Sequence, residues 1–143
     1  MKEISLQKIE VFDIDIIISV GGNFKDWEKF KKTFKFSKYF LKDYKFIEPQ
    51  IKEGYKVLSE NNKGCMACIK NEKGIRYYFL MLEDWARTME KYDTLMHEII
   101  HLKQFLWEAK RIGVEEIEFE AYFIESTFIK LRDVLNAKLK KSN

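Results

Sequence analysis

From Asp93 to Arg111 the chain carries Leu95, Met96, Ile99, Ile100, Leu102, Phe105, Leu106 and Trp107 on nearly every side of a helical projection. A helix that apolar has to lie deep in a folded domain. Asp93 or Thr94 can cap its start, and Gly113 is suited to end it. The only two histidines of the chain, His97 and His101, fall inside this segment. Four residues apart on a helix, they share one face, and an unpaired imidazole in such surroundings would cost free energy. The rest of the chain must pack around this helix and leave those two rings with partners.

With 143 residues, 46% of them hydrophobic, there is material for one core, and residues 1–143 are expected to form a single domain. From Ile9 to Val20 the pattern IEVFDIDIIISV sets Phe12, Ile14, Ile16 and Ile18 on one side, which predicts a strand. Gly21-Gly22-Asn23 breaks it, and Trp27, Phe30 and Phe34 recur at helical spacing, so a helix is expected from about Asp26 to Lys35. Between Ser37 and Tyr44 aromatics recur too densely to choose a period. Pro49, the only proline, and Glu60-Asn61-Asn62-Lys63-Gly64 read as connections. Cys65 to Lys70 and Ile75 to Met81 flank Asn71-Glu72-Lys73-Gly74 as a hairpin, with Gly74 suited to a positive φ. A last helix is expected from Val114 or Glu115 to Leu139. The fold class is therefore α+β, a small antiparallel sheet packed against helices.

Several functions are disfavoured at once. The formal charge is only +3 and the two signs are interspersed, so bulk electrostatics make nucleic acid an unlikely partner. Lys25 to Lys45 does mix lysines with Trp27, Phe30, Phe34, Phe36, Tyr39, Phe40 and Tyr44, but rings at helical spacing more often face a core, with the lysines on the wet side. No apolar stretch follows a basic start at Met1 to Glu10, and no run approaches the roughly 20 apolar residues that span a bilayer. A cytoplasmic location without membrane contact is expected. Cys65 and Cys68 form one CxxC, half the ligands of a structural zinc site, and read as small residues in or beside a strand.

His97-Glu98-Ile99-Ile100-His101 is an HExxH sequence within the strongest helix. Both imidazoles can bind one ion, and Glu98, one step round the helix, can reach a water that the ion activates. Zinc brings the pKa of such a water to about 7, and a nearby carboxylate then takes its proton as general base. A third protein ligand is required. The acidic start of the last helix, Glu115, Glu116, Glu118 and Glu120, offers candidates. If the two helices were straight and antiparallel about Gly113, Glu125 would lie level with His101 and become the rival.

HEIIH followed by Glu118-Phe119-Glu120-Ala121-Tyr122 resembles the HExxH and ExxA pattern of compact gluzincin-type metallopeptidases, among them ImmA/IrrE-like proteins and small peptidases of phages and mobile elements. The resemblance covers chiefly Thr94 to Phe128. It implies a zincin-like fold, zinc as cofactor, a peptide or protein substrate, and Glu118 as third ligand beside His97 and His101. It implies that a strand next to the metal helix holds substrate by its backbone, the part to which Ile75 to Met81 corresponds. It also gives Tyr122 a role in orienting a ligand or donating to the oxyanion, against the alternative of a tyrosine at the core edge. The function expected is zinc-dependent peptide-bond hydrolysis with Glu98 as base. The alternative is a catalytically silent metal-binding or regulatory protein-interaction module of the same fold. Two histidines and a carboxylate also accept iron or manganese.

Overall fold

The computed structural model of the chain describes residues 1–60 and 62–142. Strand β1 (Glu3–Ile9) turns through a single 3-10 turn, Glu10–Phe12, into β2 (Ile14–Val20). Helices α1 (Phe24–Thr33) and α2 (Lys38–Ser59) follow, then the hairpin of β3 (Gly64–Lys70) and β4 (Arg76–Leu82), and finally α3 (Met89–Lys110) and α4 (Ile117–Ser142). Among the described residues no helix is long and apolar enough to cross a membrane.

The strand expected from Ile9 to Val20 begins only at Ile14, because Ile9 is the last residue of β1 and Glu10–Phe12 form the 3-10 turn. Asp13 adopts a left-handed conformation, φ 51°, which aspartate tolerates better than most residues, and the chain reverses there. Ile9 closes β1, and Ile4 and Leu6, alternating with polar residues, pack against the α1/α2 side. The hairpin of β3 and β4 is as expected, with Gly74 at φ 81°. Asn71 Oδ1 accepts from the N–H groups of Lys73 and Ile75 and closes that turn.

The sheet is mixed, in the order β1-β2-β4-β3. Both hairpins are antiparallel, and the central pair β2/β4 is parallel. The reason lies in the connection: α1, α2 and β3 intervene between β2 and β4, and a connection of that length can return the chain in the same direction. Helices then cover both faces. Ile16, Ile18, Val20, Tyr78, Leu80 and Leu82 point into the core under α3 and α4. Ile17, Phe79 and Met81 point into a second core under α1 and α2. A central strand buried on both sides carries the unbroken apolar run expected of it, as Tyr77-Tyr78-Phe79-Leu80-Met81-Leu82 does.

Helix α2 runs straight through Pro49, where a connection was expected. An interior proline costs about 3 kcal/mol. Ile47 and Ile51 on either side are fully buried, and each such side chain contributes about 1.5–3 kcal/mol, so packing offsets the break. Pro49 itself lies on the wet side, and Gln50 Nε2 donates to the Phe46 carbonyl one turn back. Tyr55, further along α2, donates its hydroxyl to Ser19 Oγ at 2.8 Å in the interior. Burial pushes the Tyr55 pKa up to about 12.

Helix α3 begins earlier than expected. Thr88 is the cap, its side chain accepting from the Lys91 N–H. It ends at Arg111, whose left-handed φ of 54° takes the place expected of Gly113. Helix α4 begins at Ile117 and continues past Leu139 to Ser142.

Candidate functional site

The sheet-facing side of α3 buries Leu95, Ile99, Leu102 and Leu106 completely. Its opposite side is not buried: Ile100 is 39% exposed and His97 and Gln104 face solvent. The expectation of a helix immersed on all sides is therefore corrected. Pairing α3 with α4 on one face of a four-stranded sheet covers a helix on two sides only, and the histidines lie along what remains open.

The two imidazoles converge. Their ring centroids are 4.7 Å apart and His97 Nε2 lies 3.1 Å from His101 Nε2. Two nitrogens that each sit about 2.0–2.1 Å from a tetrahedral zinc are themselves separated by about 3.3 Å, so this pair is spaced to share an ion. Gln104 Oε1 lies 3.2 Å from His101 Nδ1. In the tautomer with the proton on Nδ1, that nitrogen donates to the Gln104 amide oxygen and Nε2 is left with its lone pair on the side of His97. Gln104 was missed in the sequence, although its place three residues after His101 on the same helix face was the available signal.

Glu98 lies at the contact between α3 and β3, near enough to both histidines to feel their charge, and is 5% exposed. Burial raises its pKa, while the nearby charges of His101 and His97 and a backbone hydrogen bond from Met66 draw it back down. A Cβ at Gly64 would sit 3.0 Å from Thr94 Cγ2 and 3.1 Å from Glu98 Cγ. Glycine is therefore what lets β3 approach α3 closely enough to enclose the carboxylate. Gly64 had been read only as part of a connection, because nothing local in the sequence says which helix will pass over it.

The proposed third ligand does not join this group. Glu118 is exposed in the first turn of α4. Its neighbours Phe119 and Glu120 contact Trp107 and Lys103, the latter as a 3.2 Å ion pair, so that turn lies beyond His101 toward the end of α3. Glu125, the rival, is also exposed. Among the described residues no set of three or more His, Cys, Asp or Glu side chains is arranged to hold a metal ion. The residues present thus fit two imidazole ligands and a neighbouring carboxylate, with no protein group in third position. Tyr122 is 59% exposed on α4, away from the core edge.

Two further expectations change with the topology. Strand β4, which the resemblance matched to a substrate-holding strand, is paired on both sides by β2 and β3 and has no free edge. Strand β3 is the sheet edge and the strand that contacts Glu98. Cys65 and Cys68 are both free. Residues three apart in a strand point to opposite faces, and Cys65 packs toward the α1/α2 core while Cys68 packs toward the other. Burial raises both thiol pKa values, which leaves two small strand residues rather than a redox pair. Compared with protein-family models, with curated proteins and with solved structures, the chain matches none.

Proposed function

We propose that the chain is a metal-dependent hydrolase of peptide bonds, with His97 and His101 as two ligands of zinc and Glu98 as general base. The observation that carries this reading is the 3.1 Å approach of His97 Nε2 to His101 Nε2 beside a buried carboxylate. A bound zinc would supply Lewis acidity, lowering the pKa of water and polarising a carbonyl. His101, oriented by Gln104, keeps its lone pair directed at the shared position. Glu98, enclosed by β3 and raised in pKa by burial, is suited to take a proton and pass it to a leaving amine. The free edge of β3 can hold an extended peptide by backbone hydrogen bonds alongside that carboxylate. The motif would supply Glu118 as third ligand and Tyr122 as oxyanion donor, but both are exposed on α4 and neither stands with the histidine pair.

The test joins metal analysis to turnover. Protein purified without added metal or chelator is expected to hold about one zinc per chain, and His97→Ala to lose it. Glu98→Gln is expected to keep the zinc and lose cleavage of a peptide library. Native protein that takes up no zinc, or Glu98→Gln protein that still cleaves, overturns the assignment.

A second reading, a regulatory or protein-interaction module of the same fold without turnover, is favoured by one observation: no third ligand stands with the histidine pair among the described residues. Zinc bound by the wild type without cleavage of any library peptide would select it.

A further inference from the structure

Residues 25–45 hold eight lysines against three carboxylates, a surplus of five, so the rest of a chain whose total is +3 carries −2. The basic charge is thus concentrated on α1 and the first half of α2. In the sequence this segment looked like a core face with wet lysines, and for Trp27 that is so: it is fully buried, with Nε1 donating to the Tyr44 hydroxyl. Other rings of the segment are not buried. Tyr39 is 64% exposed and Phe46 46% exposed, and with Lys42 they occupy one stripe of α2 at helical spacing. Across from them the β3–β4 turn presents Lys73 and Ile75. Together with Lys45 these side chains line an open groove of about 670 Å³.

Two carboxylates, Asp43 and Glu72, stand against the three lysines of this groove and leave it a net charge of +1. Asp43 accepts from Asn71 Nδ2 and from the Tyr77 hydroxyl, both at 2.8 Å, and is committed to holding the hairpin turn. Glu72 lies at the rim beside Lys73. Among the described residues, Lys42, Lys45 and Lys73 come within ion-pair distance of no carboxylate, although Lys42 and Lys73 lie near enough to Asp43 to help hold its pKa down. The groove lies far from the histidines. It is on the α1/α2 face and at the Lys70/Arg76 end of the hairpin, whereas Glu98 packs on the other face at the Gly64/Leu82 end.

We infer that this groove binds single-stranded nucleic acid, with Tyr39 and Phe46 stacking on bases and Lys42, Lys45 and Lys73 meeting phosphates. Four considerations choose this occupant. Exposed rings set among ammonium groups match a ligand that alternates π-faces with negative charge, whereas a peptide acidic through Asp and Glu alone brings no π-face for those rings to stack on. Tyr39 and Phe46 are seven residues apart, about 10.5 Å along the helix, or about three base steps at the 3.4 Å stacked rise. In a duplex the base faces are covered, so such rings have nothing to stack on. The apolar side chains also line a concavity instead of projecting from a convex face, which suits a strand better than a bilayer surface.

The experiment is fluorescence anisotropy with labelled 15-residue oligo-dT and oligo-U, a duplex of the same length, and phosphatidylserine vesicles in a parallel sedimentation assay. The expected result is binding of the single strands in 50 mM salt, weakening with a log–log slope of about −2, as three phosphate contacts on a single strand require. Tyr39→Ala and Phe46→Ala should each weaken it about fivefold or more. Joint replacement of Lys42, Lys45 and Lys73 by Gln should flatten the salt dependence. These positions are exposed, and circular dichroism checks that the variants fold. No anisotropy change at 50 mM salt overturns the inference, as does tighter binding of the duplex or affinity indifferent to both aromatic substitutions. Vesicle binding without oligonucleotide binding assigns the surface to a membrane and equally overturns it.

Discussion

Gly64 is the residue on which the candidate site turns, although it contributes no functional group. Its missing side chain is the space in which Thr94 and Glu98 pack against β3. Gly64→Ala places a methyl group about a few tenths of an ångström too close to both, and overpacking of this kind costs about 1–3 kcal/mol. Because both histidines sit on α3 and neither touches Gly64, zinc binding should survive while the Glu98 carboxylate is displaced. The expected outcome is a lowered Tm, unchanged zinc content, and peptide cleavage reduced about tenfold or more, since small displacements of a catalytic group are costly. Loss of zinc together with activity would show that the strand supports the whole of α3 instead of positioning the base. The HExxH pair was legible in the sequence because helical geometry alone fixes residues four apart. The third ligand was not, because its place depends on where α4 starts and how it crosses α3, and Ile117 begins that helix later than Val114 or Glu115 would have.

At the scale of elements, α2 carries two testable features. Pro49 interrupts its hydrogen bonding on the exposed side while the buried side holds the helix together. Pro49→Ala should restore the lost bond and stabilise by about 1–3 kcal/mol, which for a chain of this size raises Tm by roughly 2–12 °C in thermal unfolding. A fall in Tm would mean that the proline holds a geometry that α2 needs. Asp43 joins α2 to the β3–β4 turn. Hydrogen bonds from Asn71 and Tyr77 hold its carboxyl below the usual value of 3.8. A depressed carboxyl stabilises the fold above its ordinary pKa and loses that contribution as pH falls through its folded value. Asp43→Ala should therefore melt below the wild type at pH 7, and the gap should narrow as pH falls below about 3.8. A gap of constant size down to pH 2 would assign the effect to packing instead of charge. The sequence announced the hairpin through Gly74 and its flanking strands, but it concealed α2, because the dense aromatics of 37–44 divide between the α1/α2 core, where Phe40 and Tyr44 pack, and solvent, where Tyr39 points, and a proline stands in the middle. Strand β1 was overlooked despite the alternation of Ile4 and Leu6, since a short edge strand with polar residues between them carries a weak signal.

For the molecule as a whole, the decisive feature is the parallel pairing of β2 with β4, which no local pattern marks. It places one sheet between two cores and makes the same two strands serve both: Ile16, Ile18 and Leu80 one side, Ile17, Phe79 and Met81 the other. Neither helical layer can lose its sheet without exposing the other layer's apolar face, so the two should unfold together as the single domain expected from chain length. The tryptophans can report this, because Trp27 sits in the α1/α2 core and Trp85 and Trp107 in the α3/α4 core. A Trp27→Phe protein, whose emission comes from the α3/α4 core, and a Trp85→Phe/Trp107→Phe protein, whose emission comes from the α1/α2 core, should each show a denaturant midpoint equal to that of its own far-ultraviolet circular dichroism. Replacing Phe79 or Leu80 by Ala should cost about 2–5 kcal/mol in either case and move both signals together. Emission from one core changing at a lower denaturant concentration than the circular dichroism of the same protein would show that the layers come apart separately. The histidine pair on α3 and the basic groove on α2 would then belong to separately folding halves.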